Sequence, residues 1–575
     1  MPLIETKTLK NHKSIWTTMM HHTSLFLTAL AIIAFNLTGW RPVRGEAHDV
    51  DAHDVIVVCH EALRESLQPW TDHRIEEGLT IGFCEPQSDA KSTAEDIRTL
   101  AGPSTRYVLI VGDAPPVHQS NVSITSNPLW IPTFYQPSPV TRKYGSTESY
   151  PTDLPYVDFD ADGTSDASIG RLPVTTPEQL AGIVQRILAF ETSDDFGPWR
   201  QCLQLTAGVG GFGGLIDGAI EAVTRTVLTS ALPADVKPQI AYASPGHAFC
   251  PTDSPFQECV MQRYREGARF WIYAGHGSVD RLDLLKRAPD DADGIRQEST
   301  ATPWEVESLL KADSVSLLKS EPTRPTIGLL LACYAGAFDA AVPCLAERML
   351  LTPGGPIAMI SASRLTMPYG NAKFGLSLLE SVYDLPATGS AGPVQPPTVR
   401  RIGDAMLAAQ RTLQSEQAGS TTQVMLDGVA TLISPAGNDL KQERREHAGL
   451  YQLLGDPTLH LHRSLPVSIK AKVSSTAKED ATKTVNVEFS SPLSGTITLS
   501  IDRPLGGSSQ QAGVAGLHDP HGSTVVQKKL SVREDENVTT EISLPIDFNG
   551  PVIVRGFVES ESGWATGSAK AYIRP

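Results

Sequence analysis

Cysteine is scarce: seven residues in 575, with no Cys-X-X-Cys pair and no histidine-rich spacing beside them. That excludes a disulfide-dense scaffold and a zinc-finger type of site. Basic charge is also short. Forty-eight Lys and Arg stand against 64 Asp and Glu, a formal charge of -16. A chain with no basic excess lacks the face that neutralises phosphates, which argues against a nucleic-acid partner. Long apolar runs are missing beyond the first forty or so residues, so no later segment is apolar enough to span a bilayer.

The N-terminus carries a pattern of its own. Lys7, Lys10 and Lys13 precede the apolar stretch Leu25–Phe35, and Val43, Gly45 and Ala47 follow it. A basic start, a short apolar core and small residues after it make a secretory signal, here over 1–47. The apolar core is shorter than the ~20 residues a spanning helix needs, so a membrane anchor is the lesser reading. The expected location is secreted or cell envelope, with membrane attachment only if this segment stays uncleaved. In an exported chain an odd number of cysteines leaves at least one thiol unpaired. Cys250 and Cys259 are near enough in sequence to bridge, and ordinary buried thiols fit them equally well.

Beyond the leader, short β-branched runs alternate with amphipathic stretches. His53–Cys59, Leu79–Phe83 and Arg106–Asp113 read as buried strands, with helices over Glu61–Glu77 and Ser92–Leu100 between them. After a Pro- and Ser-rich loop from Ala114 to Pro155 the rhythm resumes. Helices are expected over 177–191, 214–231, 341–351 and 402–415, and strands over 203–207, 268–274, 327–332 and 357–361. Such alternation predicts an α/β fold with a parallel sheet covered on both faces. A division into two lobes, 53–195 and 196–463, follows. From 465 to 575 the pattern changes to alternating runs such as KTVNVEF and GTITLSI between Gly, Ser, Pro and Asp turns. That is the spacing of an all-β sandwich.

Two segments carry chemistry. Ala268–Asp280 is an apolar strand ending in Gly-His-Gly, and Thr326–Phe338 is an apolar strand ending in Ala-Cys. Adjacent parallel strands deliver their C-terminal ends to one edge of a sheet, so His276 and Cys333 are expected in one crevice. A thiol beside an imidazole is the minimal cysteine nucleophile with its acid–base partner. The N–H groups of Gly277 and Cys333 are natural oxyanion donors. Taken singly, a strand-end Gly-His-Gly serves packing or a turn, and a Cys after an apolar strand is usually a core thiol. A third segment, Asp158–Asp166, alternates carboxylates around a glycine. Asp158, Asp160, Asp162 and Asp166, with the Thr164 carbonyl, offer the oxygen ligands that Ca2+ prefers, and a solvated acidic turn has the same composition.

The His-Gly and Ala-Cys blocks resemble those of the caspase-like cysteine peptidases, and of the gingipain family in particular. YVLIVGDA at Tyr107, the block Tyr150–Val174, PCLAE at Pro343 and LLGDPTLHL from Leu453 resemble gingipain segments in the same order. The resemblance implies a caspase-like catalytic region in two lobes, an Ig-like sandwich after it, and a cysteine endopeptidase acting on proteins or peptides. It implies that Asp153 orients His276, that calcium is structural, and that Asp162 occupies the place where arginine-specific members hold a pocket acid. The competing expectation is an inactive caspase-like scaffold serving as a calcium-dependent binding or structural protein.

Overall fold

The computed structural model describes residues 53–575 apart from 118–126, 212–216, 219–220, 223, 225–231, 248, 252–253, 288–303, 384–400, 416–418, 438, 476–482, 506–523, 546–547 and 575. The leader 1–47 and most of the expected helix 214–231 lie outside the described residues.

Ten strands form one sheet, in the order Ile81–Cys84, Val55–Cys59, Tyr107–Val111, Ser168–Leu172, Tyr451–Leu454, Ala358–Ala362, Ile327–Leu331, Phe270–Ala274, Cys202–Ala207 and Lys237–Tyr242. Near-continuous apolar sequences such as VIVVC and YVLIV are buried at every position, as strands covered on both faces must be. The first four strands are mutually parallel, and so are the last five. Tyr451–Leu454 joins the two sets and runs antiparallel to Ala358–Ala362. The sheet is therefore α/β and largely parallel, as expected, and the point between 195 and 196 falls between two of its strands. Among the elements not read from the sequence are the strands Ser168–Leu172, Lys237–Tyr242 and Tyr451–Leu454, and the helices Phe256–Glu266, Pro368–Val382, Thr421–Ile433 and Leu440–Leu450.

The helices on the sheet show why they form. Pro177–Glu191 opens on Thr176, whose hydroxyl accepts from the Gln179 N–H, with Pro at the first position, where its missing donor costs nothing. Leu180, Ile183, Val184 and Ile187 then recur at helical spacing and are buried. Glu61–Glu76 carries the buried Arg74, whose guanidinium reaches Asp456 at 2.7 Å and Glu191 at 2.6 Å. The Gly-Asp-Pro block is thus structural. Asp456 also accepts from the Trp70 ring nitrogen and from Thr458, and so ties this helix to the chain leaving the last strand of the sheet.

From Leu465 onward the chain is all β. A five-stranded and a three-stranded sheet share one core, with Val485, Val487, Phe489, Ile497, Leu499, Ile501 and Val554 inside it. The alternation of buried and open positions along Lys483–Ser490 is the period-two pattern seen in its sequence. Arg555 and Thr566 of this region bond to the Ala234 carbonyl and the Asp235 carboxylate of the α/β region, each at 2.6 Å.

Candidate active site

Phe270–Ala274 and Ile327–Leu331 are adjacent parallel strands in which Ala274 lies opposite Leu331. His276 and Cys333 each stand two residues further on, so the register that pairs the strands also brings the imidazole and the thiol to one edge. The histidine segment turns there into a short strand, His276–Ser278, paired with Arg281–Arg287. Gly277 passes directly against the cysteine segment. A Cβ on it would lie 3.0 Å from the Ala332 Cβ and 3.1 Å from the Cys333 carbonyl, which is why the residue after the histidine has no side chain. On the other strand, Tyr334 follows Cys333 with φ 58°, a left-handed conformation that is costly for an aromatic residue and marks a sharp turn at the strand end.

His276 Nε2 lies 2.8 Å from the Gly210 carbonyl oxygen. A carbonyl only accepts, so Nε2 carries the proton and Nδ1 of the neutral ring holds the lone pair. Around the thiol, the Thr366 N–H donates to Cys333 Sγ at 3.3 Å, and the Thr366 hydroxyl is 3.6 Å from the same sulfur. The segment carrying Thr366 is held from behind by the helix Leu440–Leu450. Met367 N–H donates to His447 Nε2 at 2.9 Å, and Gly370 N–H donates to Glu443 Oε1 at 2.9 Å. Burial pushes His447 down to about 4, so its ring is neutral and free to accept that bond.

The pair opens onto a cavity of 220 Å3 with apolar walls that include Leu205, Ile240, Tyr242, Phe249, Leu331 and Leu505. Asp217, Glu221 and Thr224 line one side at helical spacing, and His247 stands 3.2 Å from Glu221. Gly210, Thr366, Asp217, Glu221 and His247 were not singled out in the sequence. Their signal is tertiary: none lies in a motif, and the segments that carry them meet only in the fold. Cys59, Cys84, Cys202, Cys333 and Cys344 are free thiols. Burial raises the thiols of Cys59 and Cys84 to about 12, which fits inert core residues.

Asp153 is a correction. It was expected to orient His276, but its carboxylate is buried against Arg171. Arg171 Nε and Nη2 donate to its two oxygens, each at 2.8 Å, and the Thr133 hydroxyl adds a bond at 2.7 Å. The reason is charge. Arg171 is wholly buried in the sheet and also serves the carbonyls of Gly112, Ile131 and Pro132. A buried guanidinium without a carboxylate would be strongly destabilising, and Asp153 supplies that charge.

The acidic loop is narrower than expected. Oxygens of Asp158, Asp160 and Asp166 lie within 4.8 Å of one another. Asp162 stands outside that group: its Oδ1 accepts from the Thr164 N–H at 2.7 Å, and it is not among the residues lining the cavity. The three convergent carboxylates are an oxygen-only donor set, the chemistry a hard cation such as Ca2+ requires.

With this geometry in place, the comparison with protein families is decisive. The model of peptidase family C25 matches residues 48–462. The chain belongs to peptidase family C25. This C25 chain is by family a cysteine peptidase, acting on protein or peptide substrates. Among solved structures it is similar to the Arg-specific cysteine proteinase gingipain R, at 14% identity and TM-score 0.48, over 92% of this chain and 100% of that one. It is also similar to the complex of Porphyromonas gingivalis RgpB pro- and mature domains, at 14% identity and TM-score 0.46, over 90% of this chain and 100% of that one. Dimeric latent PorU from Porphyromonas gingivalis matches at 14% identity and TM-score 0.32, over 91% of this chain and 43% of that one. The family assignment rests on the 48–462 match and not on these likenesses. No curated protein matches the C25 chain.

Proposed function

We propose that this C25 chain is an exported endopeptidase working through a Cys333–His276 dyad. The observation that carries the reading is the shared register: both residues stand two positions past a paired couple on adjacent parallel strands, and both line one cavity. His276 Nδ1 takes the thiol proton, Cys333 Sγ attacks the scissile carbonyl as a thiolate, and the N–H groups of Gly277 and Cys333 hold the oxyanion. His276 protonates the leaving amine. It then takes a proton from the water that releases the acyl-enzyme. The Gly210 carbonyl fixes the ring and its tautomer, the orienting task a carboxylate performs in other hydrolases. Thr366 steadies the sulfur. The decisive variant is Cys333→Ala. It is expected to fold, to lose turnover of every peptide the wild type cleaves, and to lose labelling by peptide-mimetic electrophiles. A wild-type chain inert against a diverse peptide library, or a cleaving Cys333→Ala, overturns the reading.

The same reading includes a leader at 1–47, α/β lobes at 53–195 and 196–463, an Ig-like sandwich at 465–575, and a structural calcium ion. Asp158, Asp160 and Asp166 would hold the ion, and when bound it would neutralise their mutual repulsion. Asp158 closes the turn Leu154–Val157 that begins at Asp153, so a fixed acidic loop steadies the Arg171 clamp rather than His276.

A further inference from the structure

At the edge of the sheet opposite the reactive pair lies a second, much smaller cavity of 10 Å3. Arg269 and Ile327, which line it, sit at the N-terminal ends of the strands whose other ends lead to His276 and Cys333. Arg200, His462 and Trp564 line it too, and Trp564 belongs to the C-terminal sandwich. The cavity therefore sits where the α/β region meets the all-β region.

Its chemistry is out of balance. Three nitrogens of the lining side chains, Arg200 Nη2, Arg269 Nη2 and His462 Nε2, are shut off from solvent and have no hydrogen-bond partner among the described residues. Leaving one buried donor unmade is costly, and more so for a charged group. Here three gather at one void, two of them on guanidinium groups. Nearby carboxylates are committed elsewhere. Asp195 bonds Arg324 at 2.5 Å and the Trp199 ring nitrogen at 3.0 Å, and Glu191 is held by Arg74. Arg200 Nε donates to the Asp195 carbonyl at 2.8 Å, and its guanidinium lies over the Trp199 ring at 4.6 Å. Burial, together with Arg269, pushes Arg200 down to about 10 against the pull of Asp195. Burial and Arg200 push His462 down to about 4, which leaves a neutral ring able to donate from Nε2.

We infer that this cavity binds one small monovalent anion of the halide class, held by Arg200, Arg269 and His462. The small void favours a single-atom ion over sulfate, phosphate or a carboxylate. A water molecule would fit, but it has two lone pairs for three donors and no charge to set against two guanidinium groups. A halide ion accepts from all three and supplies the missing negative charge. Its effect is on the joint between the two regions, remote from the reactive pair, so the inference stands independently of the proposed peptidase mechanism.

The test is thermal unfolding of the full chain in sodium chloride or sodium bromide against sodium methanesulfonate at equal ionic strength. Methanesulfonate is too large for the void. A saturable rise in Tm of about 2–4 °C is expected with either halide, and Arg200→Met and Arg269→Met are expected to lose that response. Bromide-soaked crystals of the wild type are expected to show an anomalous peak between Arg200, Arg269 and His462, a readout that holds even if neither variant folds. Identical melts in the three salts, a halide response that survives in both variants, or a cavity without a bromide peak overturns the inference.

Discussion

At the scale of single residues, the division of labour between Asp153 and Gly210 is the point most open to measurement. Asp153→Asn is expected to lower stability by about 3 kcal/mol or more, because it leaves Arg171 buried beside a neutral amide. Turnover by the fraction that stays folded is expected to hold within about threefold, since no carboxylate is withdrawn from His276. Urea unfolding and active-site titration separate the two effects. A stable variant with turnover down a hundredfold would return Asp153 to the catalytic role. Thr366 gives a second test. Thr366→Val keeps the backbone donor to Cys333 Sγ and removes the hydroxyl 3.6 Å from the sulfur. The loss of one such bond is worth about 1 kcal/mol. Alkylation of Cys333 by iodoacetamide and kcat/KM are therefore both expected to fall about fivefold, while Thr366→Ser restores them.

Among the elements, the helix Leu440–Leu450 holds the segment that carries Thr366. His447 accepts from Met367 N–H, next to the residue that holds the sulfur. Its pKa is depressed in the folded chain to about 4 from 6.5. The stability it contributes is thus present above about pH 6.5 and is lost as pH falls towards 4, on the order of 3 kcal/mol. Glu443 on the same helix works in the opposite sense. Burial raises it from 4.5 to about 7, so its contribution is complete below about pH 4.5 and is lost as pH rises to about 7. The two contributions oppose each other over the same range, so the test is a difference: in denaturant unfolding at pH 7, 5.5 and 4.5, His447→Gln, which retains an acceptor for Met367, is expected to gain stability relative to the wild type as pH falls. An unchanged slope in that variant would place the acid sensitivity elsewhere. Gly370 belongs to the same device. A Cβ there would overlap the His447 ring, so Gly370→Ala is expected to displace the Thr366 segment and depress turnover more than stability.

For the whole molecule, calcium and export make the remaining tests. A ligand that binds only the folded chain stabilises it by about 2.7 kcal/mol at a hundredfold excess over Kd. A chelator is therefore expected to lower the melting temperature, and Asp158→Asn combined with Asp160→Asn to abolish the response. Overlaid melts with calcium and with chelator would leave Asp158–Asp166 a solvated turn. N-terminal sequencing of the exported chain should begin after about residue 45, and an intact Leu25–Phe35 in a membrane fraction would mean an anchor instead.

The sequence alone was enough for the α/β class, the all-β C-terminal region, the family and the meeting of His276 with Cys333 at one sheet edge. Those signals are local. Buried strands such as Val55–Cys59 are runs of apolar residues, the sandwich strands alternate with period two, and Gly-His-Gly and Ala-Cys each end such a run. The strand Lys237–Tyr242 escaped because KPQIAY mixes polar and apolar residues, and Tyr451–Leu454 because four residues directly after a helix carry no period of their own. What each functional group touches was decided only by the tertiary structure. Gly210 meets His276 across 66 residues, and Thr366 meets Cys333 across 33. Asp153 lies in a motif that points to catalysis, yet it answers a buried arginine 18 residues away. Partners of this kind are selected by which loops packing returns to the same sheet edge, and by which buried charges must be neutralised there. Neither is encoded in the spacing of residues along the chain.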